Sequence, residues 1–100
     1  MAFDSAGNIY VTDGYINSRV AKYDYNGDWV KSWGEPGTNP GQFRLPHSIA
    51  IDKDDNVYVG DRSNARIQVF DTDGNYLREF RVAIPVRPGS TAVNGSTPTD

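Results

Sequence analysis

Phe3-Asp-Ser-Ala-Gly-Asn-Ile-Tyr-Val-Thr-Asp13 returns 48 residues later as Ile51-Asp-Lys-Asp-Asp-Asn-Val-Tyr-Val-Gly-Asp61. With one residue more in the first copy, the match resumes at an offset of 47 and pairs Asn17-Ser-Arg-Val-Ala-Lys-Tyr-Asp24 with Asn64-Ala-Arg-Ile-Gln-Val-Phe-Asp71. Asn26-Gly27 then falls on Asp73-Gly74, and Trp33 on Phe80. Alternating apolar residues, many β-branched or aromatic, predict four strands in each copy. They run over 1–3, 9–12, 19–24 and 29–33, then 48–52, 57–60, 66–70 and 76–80. Ser5-Ala-Gly-Asn8 and Lys53-Asp-Asp-Asn56 join the first two strands of each copy, and Asn26-Gly27 and Asp73-Gly74 supply the positive φ that a tight hairpin needs.

A repeat of this length made of short strands and turns points to an all-β protein, with two four-stranded antiparallel blades of a β-propeller whose sheets bury their faces only against one another. The expected division is a first blade over 1–44, a second over 45–86 and a Pro/Gly/Ser/Thr tail over 87–100 too polar to offset the entropy of ordering. Gly34-Glu-Pro-Gly-Thr-Asn-Pro-Gly-Gln-Phe43 reads as a non-helical crossover between the blades. Met1-Ala2-Phe3 aligns with Ile49-Ala50-Ile51, inside an innermost strand. The expectation is therefore a truncated piece of a propeller, or a two-blade unit that must associate.

Thirteen acidic residues stand against ten Lys and Arg, for a net charge of −3, with no basic block to neutralise a row of phosphates. Nucleic acid is disfavoured as a partner. The chain has no cysteine, hence neither a disulfide framework nor a thiolate metal site. No apolar run is long enough to span a bilayer, and the first residues show no basic and apolar leader, so neither a membrane partner nor a signal peptide is expected. The compartment stays open, an extracytoplasmic parent protein included.

The repeat also separates scaffold from chemistry. Asp13 with Arg19, and Asp61 with Arg66, recur together at a strand end and the next strand start, which marks a loop-bracing pair. The aromatics Tyr10, Tyr23, Trp33, Tyr58, Phe70 and Phe80 sit at matching positions and are expected to pack between blades. Gly14-Tyr15-Ile16 against Arg62-Ser63, and His47, do not recur. Residues confined to one of two equivalent loops are the better candidates for function. Composition alone gives His47 no metal role, because a zinc site takes three or four ligands and the chain has one imidazole.

Gly-Asn-hydrophobic-Tyr-Val-x-Asp, then Asn-x-Arg-Ile and Phe-Asp-x-Asp-Gly, resembles the NHL repeat from residue 1 to about 80. Asp13-Gly-Tyr-Ile-Asn-Ser-Arg19, Trp33-Gly-Glu35, Pro40-Gly-Gln-Phe43, Pro46-His-Ser-Ile-Ala50 and Asp61-Arg-Ser-Asn-Ala-Arg-Ile-Gln68, in this order, resemble the peptidyl-α-hydroxyglycine α-amidating lyases. The resemblance implies a six-bladed, zinc-dependent propeller that splits a peptidyl-α-hydroxyglycine into a peptide amide and glyoxylate. It matches His47 to a zinc-binding His, Tyr15 to the active-site Tyr and Arg62 to an Arg facing the substrate carboxylate.

In such an enzyme zinc polarises the substrate hydroxyl, a phenol of lowered pKa takes its proton and a guanidinium holds the carboxylate. Ile16, Tyr58 and Val69 stand where the animal enzymes have cysteines, and the family's other zinc-binding His residues fall in blades this sequence lacks. An isolated monomer is therefore expected to be inactive. Further blades, or a homo-oligomer such as a trimer bringing three copies of His47 to one axis, are the expected partners. A peptide is the expected substrate. The competing expectation is a non-enzymatic NHL propeller that binds a protein or other ligand through its rim loops.

Overall fold

The computed structural model describes residues 1–14 and 17–81. Its first antiparallel sheet holds β1 (Ala2–Phe3), β2 (Ile9–Asp13), β3 (Arg19–Tyr23) and β4 (Trp29–Trp33) in chain order. The crossover contributes β5 (Glu35–Pro36) and β6 (Gln42–Phe43), a short parallel pair. The second sheet holds β7 (Pro46–Ile51), β8 (Val57–Asp61), β9 (Arg66–Phe70) and β10 (Tyr76–Arg81), again in chain order, with a 3-10 turn at Arg62–Asn64 between β8 and β9. The protein is all-β, and all eight expected blade strands are present. The largest difference is at β7, which begins at Pro46 rather than Ser48. The expected tail over 87–100 lies outside the described residues.

One device closes four of the hairpins. Asp4, Asp24, Asp52 and Asp71 each accept, on one carboxylate oxygen, the backbone N–H groups two and four residues on. The residue between those amides returns its own N–H to the aspartate carbonyl and sits at positive φ. It is Gly7, Gly27 and Gly74 in three turns and Asp55, at φ 64°, in the fourth. Asp tolerates this left-handed conformation better than most residues, so the fourth turn keeps the shape without glycine.

The core lies between the sheets. Tyr10 and Val20 from the first sheet and Val57, Val59 and Phe70 from the second are fully buried, with Trp33, Ile49 and Ile51 packed around them. Phe43, at the end of the crossover, is buried there too. Trp33 stands 5.6 Å from the Phe70 ring and 6.2 Å from Tyr10, and Phe43 stands 5.8 Å from Phe70. Side chains of this size contribute roughly 1.5–3 kcal/mol each when removed from water, so the sheets hold one another.

The stack is head to tail. The first sheet presents its Tyr10 face, whereas the second presents Val57 and Val59, whose counterparts Ile9 and Val11 lie on the other face of the first. Polar contacts follow the same line. The Lys22 and Lys31 ammonium groups donate to the carbonyls of Thr72 and Asp73, each at 2.7 Å, and the Ser5 hydroxyl donates to Asp55 at 2.6 Å.

Arg66, 3% exposed, fixes the crossover from below. Its guanidinium donates to Asp61, to Glu79 and to the carbonyls of Thr38, Asn39 and Gln42. Buried Gln68 adds a donor to the Gln42 carbonyl and accepts the Gly41 N–H. The expected Asp–Arg pairs are both formed, at 3.2 Å for Asp13–Arg19 and 3.3 Å for Asp61–Arg66.

Candidate functional site

His47 lies on β7, the first strand of the second sheet, and it is exposed. Pro46 pairs with Asp61 and Ser48 with Gly60, so His47 is the extra residue of a β-bulge. A bulge leaves one residue out of the ladder and re-aims its side chain, here at the mouth of the sheet where β8 ends. Arg62 follows directly, exposed, as the first residue of the 3-10 turn. Its backbone N–H donates to the Leu45 carbonyl at 3.0 Å, which ties the approach to His47 to the start of the Arg62 turn.

Buried Asp61 supports both segments. One oxygen accepts the N–H groups of Arg44 and Leu45, at 2.9 and 3.1 Å, and the other accepts Asn64 and Arg66. The repeat marks Asp61 as half of a bracing pair but does not reveal that it carries the two amides leading into Pro46-His47. That part depends on the crossover, which has no second copy within the sequence.

The loop after β2 reaches the same rim. Gly14 is pressed so closely on the Pro46 carbonyl and ring that a side chain there would collide with them. Tyr15, the next residue and the remaining sequence candidate, lies outside the described residues. At the start of that loop the Asp13 carboxylate is held below its ordinary value, first by the Asn17 side chain and then by Arg19. A shallow depression of about 360 Å³ opens beside the rim, lined by Ser18, Pro36, Gly37, Thr38, Phe43 and Arg44. It includes neither His47 nor Arg62.

Among the described residues, no three His, Cys, Asp or Glu side chains come together to hold a metal ion. His47 offers one imidazole, and the residues present do not make a zinc site on their own. What the rim presents is a bulge-mounted imidazole and an exposed guanidinium on two segments tied together by Asp61, with Gly14 pressed against Pro46.

Residues 43–70 match the family model of the NHL repeat. Over 105 aligned residues the chain is 38% identical to peptidyl-glycine alpha-amidating monooxygenase A of Xenopus laevis, covering 89% of this chain and 11% of that protein. It is 43% identical to human NHL repeat-containing protein 3 over 74% of this chain and 22% of the relative. It is 39% identical to the probable peptidyl-alpha-hydroxyglycine alpha-amidating lyase pgal-1 of Caenorhabditis elegans over 64% of this chain and 19% of the relative. The chain thus spans between about a tenth and a fifth of the length of these three relatives.

Proposed function

We propose that this pair of NHL-type blades supplies part of the rim of an amidating-lyase-like propeller, in which Arg62 holds the carboxylate of a peptidyl-α-hydroxyglycine. His47 would give one imidazole to a zinc site whose other ligands come from outside this chain, and Tyr15 is the base on resemblance alone. The observation that carries the reading is the β7 bulge, which sets His47 out of the ladder at the strand mouth where Arg62 begins its turn.

The reaction asks little else of these residues. The substrate hydroxyl loses its proton as its carbon–oxygen bond becomes the carbonyl of glyoxylate, the carbon–nitrogen bond breaks, and the departing nitrogen takes up a proton as the peptide amide. A guanidinium fork suits the bidentate hold on the carboxylate that keeps the scissile bond oriented, which a lysine would do less well.

A second reading has its own support in the similarity to NHL repeat-containing protein 3, whose name carries no enzymatic activity. In that reading the same rim loops bind a partner. An N-acyl-α-hydroxyglycine and its carboxamide analogue, each titrated into the chain, separate the two. The expected result is binding of the acid alone, weakened about tenfold or more in Arg62→Ala, equivalent to about 1.4 kcal/mol. Equal affinity for acid and carboxamide, or none for either, assigns the rim to partner binding.

A further inference from the structure

The depression beside the rim is formed where the end of the β2–β3 loop meets the crossover. Ser18 lines it from the loop, and Pro36, Gly37, Thr38, Phe43 and Arg44 line it from the crossover and its exit. One close approach brings these segments together. Gly34, at φ 109°, starts the crossover so tightly that a side chain there would strike both the Phe43 ring and the Ser18 carbonyl. Phe43 is fully buried, and Pro36 is paired with it across β5 and β6, so the apolar part of the lining is fixed. At about 360 Å³ the space is at the small end of ligand clefts, enough for one side chain of a ligand.

The acceptors of the crossover are used, and the donors around the depression are not. The Gly37 carbonyl accepts the Asn64 side chain at 3.0 Å, the Thr38 carbonyl accepts Arg66 at 2.9 Å, and the Phe43 carbonyl accepts the Gly37 N–H at 3.1 Å. By contrast, no hydrogen bond or ion pair among the described residues engages the Ser18 or Thr38 hydroxyl or the Arg44 guanidinium. None of the six lining residues is acidic, in a chain where acidic residues outnumber basic ones. Unspent donors and one cation beside an apolar lining suit a carboxylate carried on a short aliphatic stem.

Arg44 is fixed at its root and free at its tip. Its backbone N–H donates to Asp61 at 2.9 Å and that of Leu45 to the same oxygen at 3.1 Å, while the side chain is exposed. Asp61 therefore positions Arg44 together with the approach to His47. His47 is three positions further on, a chain distance of at most about 10 Å, which an extended peptide covers in about three residues. We propose that the depression is a subsite for an acidic residue of the peptide, at one fixed place within about three positions N-terminal to the hydroxyglycine, with Arg44 holding its carboxylate. The proposal rests on the reading of His47 and Arg62 given above for where the peptide ends. Arg44 selects the peptide and takes no part in bond cleavage.

The test is a titration of the full chain with N-acetylated peptidyl-α-hydroxyglycines that carry alanine at each position before the hydroxyglycine, or glutamate at one of those positions in turn. With the wild-type chain, glutamate at one position should tighten binding about fivefold over alanine, the upper range for an exposed ion pair. Glutamine at that position should give no gain, and the glutamate gain should shrink as salt is raised. Arg44→Gln should erase the gain and leave the affinity for the all-alanine peptide unchanged. Arg62→Ala should weaken every peptide while keeping the ratio of glutamate to alanine. Equal gains at every position, a gain that survives Arg44→Gln, no gain at any position or no binding of any peptide overturns the subsite.

The same peptides ending in a carboxamide keep the two readings apart. If acid and carboxamide bind equally, yet glutamate at one position still helps and the help depends on Arg44, the lyase reading falls and the acidic subsite stands. If the acids are preferred and glutamate brings nothing, the lyase reading stands and the subsite falls.

Discussion

Arg66 and Arg19 hold the same place in the two repeats and carry different loads. Arg66 is buried and is held by two carboxylates and three crossover carbonyls, whereas Arg19, with its side chain 43% exposed, bonds Asp13. Arg66→Met should cost about 3–5 kcal/mol in urea unfolding, because it strands Asp61 as a buried unpaired charge, and Arg19→Met about 0–1 kcal/mol. The pairing was legible in the repeated Asp and Arg; the difference in load was not, because it comes from the crossover that meets only one of them. A second residue-scale expectation concerns acid. The Asn56 side chain, then its backbone N–H, brings the Asp52 carboxyl down to about 2 from 3.8. In Asp4 burial works in the opposite direction, yet hydrogen bonds from Tyr10 and Asn8 leave the carboxyl lowered, and in Asp71 Asn75 likewise outweighs burial. A carboxylate whose folded value lies below its unfolded one stabilises the fold fully above the unfolded value and loses that contribution as pH falls through the folded one. The urea midpoint should hold above about pH 4 and drop between about pH 4 and 2, with a smaller drop in Asp52→Asn. A midpoint that stays flat to pH 2 would show that the aspartate turns are not formed. These four turns share an Asp-x-x-Gly/Asp-Asn/Asp spacing, a signal present in the sequence but hidden by how commonly Asp and Gly occur in any turn.

Among the elements, strands and turns were legible because alternation and turn chemistry are local. The β7 bulge was not, since an extra residue shows only against the partner strand, and Pro46-His47 reads in the sequence as an approach loop rather than a strand. The 3-10 turn at Arg62–Asn64 was missed for a related reason: it ends on Ala65 at φ 53°, a left-handed residue where no glycine announces one. The candidate site divides the same way. Which residues depart from the repeat could be read directly, but that Asp61 and Gly14 fasten the rim at Leu45 and Pro46 could be seen only in three dimensions. The two Gly turns separate strain from packing. Gly27→Ala should cost the left-handed penalty alone, about 1–2 kcal/mol. Gly74→Ala adds the collision with Trp33 and should cost a further 1–3 kcal/mol or so. Equal losses in thermal or urea unfolding would mean that the indole does not sit on the Gly74 turn.

For the molecule as a whole, the question is whether two sheets that share one core can unfold separately. The core rings come from both sheets and from the crossover, and Trp33 touches Tyr10 on one side and Phe70 on the other. Losing either sheet exposes the inner face of the other, so the sheets should melt together. Trp33 tests this because its surroundings span the interface, while its indole N–H, buried without a hydrogen-bond partner among the described residues, adds nothing to retain it. Trp33→Phe removes that unpaired group, copies the residue at position 80 and should cost less than about 1.5 kcal/mol. Trp33→Ala should cost about 3–5 kcal/mol. In the wild-type chain, tryptophan fluorescence and far-ultraviolet circular dichroism should trace one coincident transition, and in Trp33→Ala dichroism should still fall in a single step, earlier. Two steps in either protein would mean that one sheet is stable without the other.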